Sequence, residues 1–468
     1  MTAVRGPRAA WPLGGLAAAG GAVALGAGMA LGQAGLLVPL AVLAMALPLA
    51  RPLLGLAILV AVVVVCEARD ASVLPALEIV YEPLAGPVAA VDLLLALVAA
   101  GTALELRRRR LPVLVPGRLT LPLVLLALAL AGGAVTGYAR GAGPVDILYA
   151  GRYVAYVIVV PIVVVNLVRS RRDVVAALAF GAALAIGKAV LGLLTVASGR
   201  GRVVDGATIT FYEPVANWLM LGCLLCLLAA VLHGLRDRLP LWVLLGAPLM
   251  LASLALSLRR SFWIGLALGA GLVLVLGASP LARRLLAPAV VVVVSAGWAL
   301  WSLGFQADGR LATRAESLKP SRIQASAEDR YLFAEQANVL AEIGAHPIAG
   351  LGLAVPWSSA ARPLPVEHEN GRQYVHTVGL WYWLKLGVVG IVAYLALMAA
   401  ALSMAWRVWR DDPDALVRSA ALGGACSLMA LAAIETTGSF TGVEPRFTIV
   451  LAAMLGLIAA AYRQRRSA

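Results

Sequence analysis

His376 is one of only four histidines in the chain, and it stands where a polar stretch gives way to a long apolar run, Tyr374-Val375-His376-Thr377-Val378-Gly379-Leu380-Trp381. A neutral imidazole titrates near physiological pH and can take a proton from a hydroxyl. Arginines stand at similar boundaries. Arg259 and Arg260 lie side by side ahead of an apolar run, Arg202 lies in a short polar loop, and Arg152 lies about two turns into another apolar run. Guanidinium forks grip phosphate oxygens two at a time, and more strongly away from bulk water. Lys188, Glu213, Asn217 and Glu435 are further polar groups in or beside apolar sequence, as is Lys385, nine residues beyond His376 or ~13 Å along a helix. Such groups are costly in lipid unless they are paired or used. Each also has a structural reading. A single arginine at a helix end can reach lipid headgroups, and Glu213 and Glu435 can serve as counter-charges to Arg152 and Lys188. His346 and His368 read as loop residues, and His233 as an interface residue on the opposite side.

Composition sets the solvent. The 468 residues are 62% hydrophobic and 13% charged, with a mean hydropathy of +0.91. Soluble domains carry about 25% charge, so the chain is expected to be an integral membrane protein. The net charge of +14 does not point to nucleic acid, because the basic residues are arranged as topology signals. Cys66, Cys223, Cys226 and Cys426 all fall in apolar runs and read as buried thiols. The N-terminus begins like a signal peptide, but apolar sequence continues to Leu49 without a small-residue cleavage site, which predicts a retained first span.

The fold expected is all-α, a bundle of about 12–14 transmembrane helices. Spans are predicted near 11–31, 35–49, 52–66, 88–105, 119–137, 146–168, 174–197, 213–233, 239–257, 261–277, 285–304, 377–405, 417–437 and 447–462, the second and third being readable as one re-entrant hairpin. This divides the chain into spans over 1–304, a large loop over 305–376, and spans over 377–468. Arginine clusters at alternate junctions (Arg107–Arg110 with Arg118, Arg169/Arg171/Arg172, Arg407/Arg410/Arg418, Arg463/Arg465/Arg466) far outnumber those at the junctions between. By the positive-inside rule both termini are cytoplasmic and the 305–376 loop is extracytoplasmic. Within that loop, about 326–344 is predicted to be an amphipathic helix, with a capping box of Ser326 and Asp329 and an apolar stripe of Tyr331, Leu332, Val339, Leu340 and Ile343. Gly344 and Pro347 end it.

In this topology, His376 and the anion-suited cations share the extracytoplasmic rim. A diphosphate site beside a hydroxyl-activating base describes glycosyl transfer from a lipid diphosphate. No D-x-D aspartate pair for a divalent metal stands out, so the arginines would stabilise the leaving group themselves. A flippase or exporter of lipid-linked glycan would place such charges at mid-membrane, open to both sides. A secondary transporter of a small anion would rely on Arg152, Lys188 and Glu435.

The motifs resemble the O-antigen ligase and polymerase superfamily of polytopic bacterial enzymes. The segment Arg330–Gly390 is similar in its helix, His346-Pro347-Ile348, Gly350-x-Gly352, histidine-led helix and Leu386-Gly387-Val388-Val389-Gly390. Leu258-Arg259-Arg260-Ser261-Phe262-Trp263 resembles the family's Ser-Arg-Gly motif, with Arg260 as its arginine, and Gly199–Asn217 resembles an arginine-bearing loop before an Asn-containing helix. The resemblance implies a helical bundle distantly related to the GT-C glycosyltransferases, residing in the bacterial inner membrane. It further implies a polyprenyl-diphosphate-linked glycan donor, a glycan or lipid-glycan acceptor, no cofactor or metal, His376 as base, and Arg260, Arg259, Arg202 and Arg152 on the diphosphate. Three positions depart from the family pattern. Thr377 follows the histidine in place of Asn, Lys385 replaces a common Glu, and Arg259 replaces a Ser.

Overall fold

The computed structural model describes residues 46–66, 80–204, 207–211, 213–277, 327–365 and 371–465. The spans predicted at 11–31 and 285–304, most of the one at 35–49, the first part of the large loop with Ser326, and His368 lie outside the described residues. The described chain is almost entirely helical, and eight of its helices are long and apolar enough to cross a membrane. This is a multi-pass all-α membrane protein.

Two compact units divide the chain. The smaller comprises residues 1–59 and 91–112. Within it, Gly55 and Gly101 both lie against Pro48.

The larger unit comprises residues 60–90 and 113–468. In chain order, helix α1 (Pro52–Val65) is followed by a two-stranded hairpin, β1 (Pro83–Ala85) and β2 (Val88–Ala89), and by α2 (Ala90–Arg109). The bundle then continues with α3 (Thr120–Ala139), α4 (Pro144–Leu167) and α5 (Arg171–Ala197). A second hairpin, β3 (Val203–Val204) and β4 (Ala207–Thr208), leads to α6 (Pro214–Leu232), α7 (Leu241–Ala255) and α8 (Arg260–Gly277). The loop helix α9 (Ala327–Ala345) precedes α10 (Val378–Asp411), α11 (Ala415–Ile434) and α12 (Pro445–Arg465). The predicted span 239–257 is the 15-residue α7, too short to cross the membrane upright.

Helix α10 departs from the single span expected. Gly387 sits at φ 69°, which breaks the helix within the apolar run. The gap is filled by the loop after α9. Val388 N–H donates to the Ile348 carbonyl at 3.1 Å, and Leu351 N–H to the Leu384 carbonyl at 2.6 Å. A Cβ at Gly387 would collide with the Ile348 carbonyl, so only glycine permits both the left-handed turn and this close approach. On its other side the loop lies on α3, where Leu353 N–H donates to the Gly133 carbonyl at 2.9 Å and Gly352 abuts Gly137 backbone to backbone. The Gly-x-Gly of the sequence motif is therefore a re-entrant wedge between two helices.

The apolar stripe of α9 also differs from the expected one. Tyr331, Ala334, Glu335, Asn338, Val339 and Ile343 form the buried face, while Leu340 is exposed. Helical spacing puts Glu335 and Asn338 on the face that Tyr331 and Val339 bury, and both find polar partners there. Asn338 accepts from Arg362 N–H at 2.8 Å and donates to the Arg362 carbonyl at 2.7 Å, and the partners of Glu335 belong to the site.

Candidate active site

One end of the larger unit gathers four helix beginnings and one helix ending around the loop 435–444. Val378 N–H, at the start of α10, donates to the Glu435 carbonyl at 3.2 Å, at the end of α11. Phe262, in the first turn of α8, packs on Phe440 with centroids 6.2 Å apart. Arg446, in the first turn of α12, forms an ion pair with Glu213, the residue that opens α6.

His376 is held from three directions. Its backbone N–H donates to Glu335 Oε1 at 2.6 Å, and its Nδ1 lies 2.9 Å from Glu335 Oε2. Tyr331 and Tyr374 stand edge-on to the ring, with centroids at 5.8 and 4.8 Å. The peptide around it is pinned as well. Trp357 Nε1 donates to the Tyr374 carbonyl at 2.9 Å, Gln336 Nε2 to Thr377 Oγ1 at 3.1 Å, and Thr377 Oγ1 to the Thr436 carbonyl at 3.1 Å. The histidine side chain is 18% exposed and the Glu335 side chain 0%. Burial, and next the Glu335 carboxylate, raise the Tyr331 hydroxyl above the usual phenol range.

Arg259 and Arg260 are placed by a turn that contains a strained residue. Leu258 is buried at φ 54°, a left-handed conformation that costs a side-chain-bearing residue on the order of 1–3 kcal/mol. Bonds on both sides hold it. Ser257 Oγ donates to the Leu254 carbonyl at 2.7 Å, Trp263 Nε1 to the same carbonyl at 3.2 Å, and Thr210 Oγ1 to the Ser253 carbonyl at 2.8 Å. The turn sets two arginines at the start of α8, whose first turn holds no acidic residue. Backbone N–H groups and the helix dipole already favour an anion there.

The loop 435–444 links the two halves of the site. Tyr374 OH, beside His376, donates to the Ser439 carbonyl at 3.2 Å. Phe440, the next residue, meets α8 at Phe262. Glu444, at the far end of the loop, lies within the electrostatic reach of Arg259. Its carboxylate accepts from Arg446 Nε at 2.7 Å and from the Phe447 N–H, and burial pushes it up to about 7 against those interactions.

The remaining expected residues take other positions. Arg152 donates to the Pro87 carbonyl at 2.7 Å and the Tyr153 hydroxyl at 2.6 Å, and lies over the rings of Tyr149 and Tyr153. Lys188 is buried, 3.3 Å from the Val65 carbonyl and over the Phe211 ring. Arg202 is exposed beside the β3–β4 hairpin, where its carbonyl accepts from Ile209 N–H. Asn217 is fully buried, and its Oδ1 has no donor among the described residues. Glu435 is not a counter-charge to Arg152 or Lys188. Its oxygens accept from Tyr394 OH at 2.6 Å and Thr441 N–H at 2.8 Å, bracing the loop. Lys385 does not add charge to an open site either. It is 2% exposed and donates to the Val355 carbonyl, fastening the wedge to α10. His233 lies 2.7 Å from Ser419 Oγ through Nδ1.

Glu335, Glu444 and Arg446 are prominent in the geometry and absent from the sequence reading. Glu335 had a signal, since it lies four residues after Tyr331 and four before Val339 on the apolar stripe. Glu444 and Arg446 had none, because an acid before a helix and an arginine in its first turn break no local rule. Residues 245–395, which include the arginine pair, α9 and His376, match the family described as O-antigen ligase. No curated protein matches the chain.

Proposed function

We propose that this chain, whose residues 245–395 match the family described as O-antigen ligase, transfers a polyprenyl-diphosphate-linked oligo- or polysaccharide to an acceptor hydroxyl. The reaction takes place on the extracytoplasmic face of a bacterial cytoplasmic membrane. The observation that carries the reading is the joining of His376 and the Arg259–Arg260 pair through one loop, 435–444.

His376 Nε2 accepts the acceptor hydroxyl's proton as that oxygen attacks the anomeric carbon. The bond from that carbon to the diphosphate oxygen breaks, and polyprenyl diphosphate leaves. Arg260 and Arg259 at the α8 N-terminus bear the charge that develops on it, without a metal. Arg202, on its exposed hairpin, is placed to meet the donor from outside. Arg152 and Lys188 act through the packing of α4 and α5.

The test is transfer in membranes supplied with the host's lipid-linked glycans, comparing wild type, His376→Ala and Arg260→Ala at matched expression. Loss of transfer in both variants, with the proteins inserted and folded, is the expected result. Full activity in His376→Ala would remove the base. Passage of labelled lipid-linked glycan across the membrane without covalent transfer would replace the enzyme by a flippase.

A further inference from the structure

Resting on the reading of His376 as the base, we infer that Glu335 is its positioning residue: it fixes the imidazole tautomer that leaves Nε2 as the proton acceptor. Glu335 belongs to α9, the helix of the large loop, yet its fully buried carboxylate turns both oxygens to one residue of another segment. Burying a carboxylate is costly unless donors satisfy it. The His376 backbone N–H supplies one donor, and the Tyr331 hydroxyl is hydrogen-bonded to the same carboxylate. Nδ1 lies 2.9 Å from Oε2, a carboxylate oxygen that can only accept, so the ring meets it with Nδ1 protonated, and a neutral imidazole protonated at Nδ1 has its lone pair at Nε2. Tyr331 and Tyr374, edge-on to the ring, hinder the rotation that would exchange the two nitrogens. The carboxylate also offsets the positive charge the ring acquires once it takes a proton.

A plainer role is available, in which Glu335 merely docks α9 onto the 374–377 segment through the backbone bond. The two roles part at Glu335→Gln. The glutamine carbonyl can still accept from His376 N–H, so docking survives. Its amide would then face Nδ1 as a donor, which drives the ring proton to Nε2 and removes the acceptor. Alanine leaves the ring to choose. Aspartate keeps an acceptor at shorter reach.

The measurement is kcat and donor KM for wild type and Glu335→Asp, Glu335→Ala and Glu335→Gln, alongside His376→Ala. The expected kcat order is wild type, Asp, Ala, Gln. Gln should be down by about 10²–10⁴-fold, the span of a general base's contribution, with donor KM within about threefold. A Gln variant closest to wild type would leave docking as the whole role and overturn the inference. Activity retained in His376→Ala would instead remove the base itself, a separate failure. If the Gln variant does not fold, ¹⁵N-imidazole NMR of wild type decides, read in a background with His233, His346 and His368 replaced. A neutral ring protonated at Nδ1 supports the inference, and one protonated at Nε2 overturns it.

Discussion

At the end of the bundle away from His376, Arg463 and Arg465 sit where α12 finishes; at the His376 end, Arg260 and Arg446 sit where α8 and α12 begin. Arg463 in the last turn of α12 donates to the Val165 and Val168 carbonyls at the end of α4. Arg465 reaches the Arg407 carbonyl and Asp411, and Arg171 lies 2.6 Å from the buried Asp412. Cations among terminal carbonyls satisfy orphan acceptors and the negative end of the dipole. At the His376 end, Arg446 is compensated by Glu213 and Glu444. Arg259 and Arg260 lead into α8, whose first turn holds no acidic residue, against the dipole, and Arg259 lies within the electrostatic reach of Glu444. On the proposed reading, the same residue type closes a helix at one end and prepares a place for an anion at the other.

The sharpest attempt to break this contrast sets Arg260→Ala against Arg463→Ala. The first is expected to cost about 10²–10³-fold in transfer, the scale of one lost transition-state donor, while the second leaves transfer near wild type. Equal losses, assayed at matched expression, would erase the difference between the ends. Next comes Arg171→Ala, which strands the buried Asp412 carboxylate. Arg171 is partly exposed, so the loss of stability should fall below the roughly 3–5 kcal/mol of a fully buried pair. It would be read from thermal unfolding in detergent, with donor KM unchanged.

Glu444 sharpens the contrast through pH. Its folded value of about 7 lies above the ordinary carboxylate range. The protonated form is therefore favoured in the fold, and its contribution to stability is full below the unfolded value and lost as pH rises towards 7. Above 7 the ionised carboxylate competes for Arg259. Donor KM should therefore rise a few-fold between about pH 6 and about pH 8, a change that Glu444→Gln flattens. A pH-independent KM in wild type would place Arg259 away from the donor. The smallest effect expected is that of Tyr394→Phe, which removes the hydroxyl that Glu435 accepts. It should cost about 0.5–1.5 kcal/mol in unfolding measurements and lower kcat modestly, through the loop that joins the half-sites. No change in either would mean that Thr441 alone suffices to brace Glu435.

Several members of the candidate site stood out in the chain because they violate a local rule. A histidine at the start of an apolar helix and two adjacent arginines at a junction between the arginine-rich ones are anomalies that hydropathy exposes. Glu335 was half legible, since a carboxylate on an apolar stripe needs a partner, but that partner lies 41 residues away in sequence. The break at Gly387 was not legible. An apolar Leu-Gly-Val-Val-Gly run reads as continuous helix, and it opens only because the Ile348 carbonyl arrives to take the Val388 N–H. Lys385 misled for the same reason, because its acceptor is a backbone carbonyl of a distant loop.

The sequence by itself determined the solvent and the all-α class of the fold, because hydropathy acts locally and does not depend on which helix neighbours which. Only the tertiary structure decided which polar residues meet. Glu435 braces the 435–444 loop, Lys385 fastens the wedge, and Glu335 faces His376. A buried polar group must find a partner wherever packing supplies one, and packing partners are set by the fold as a whole rather than by spacing along the chain.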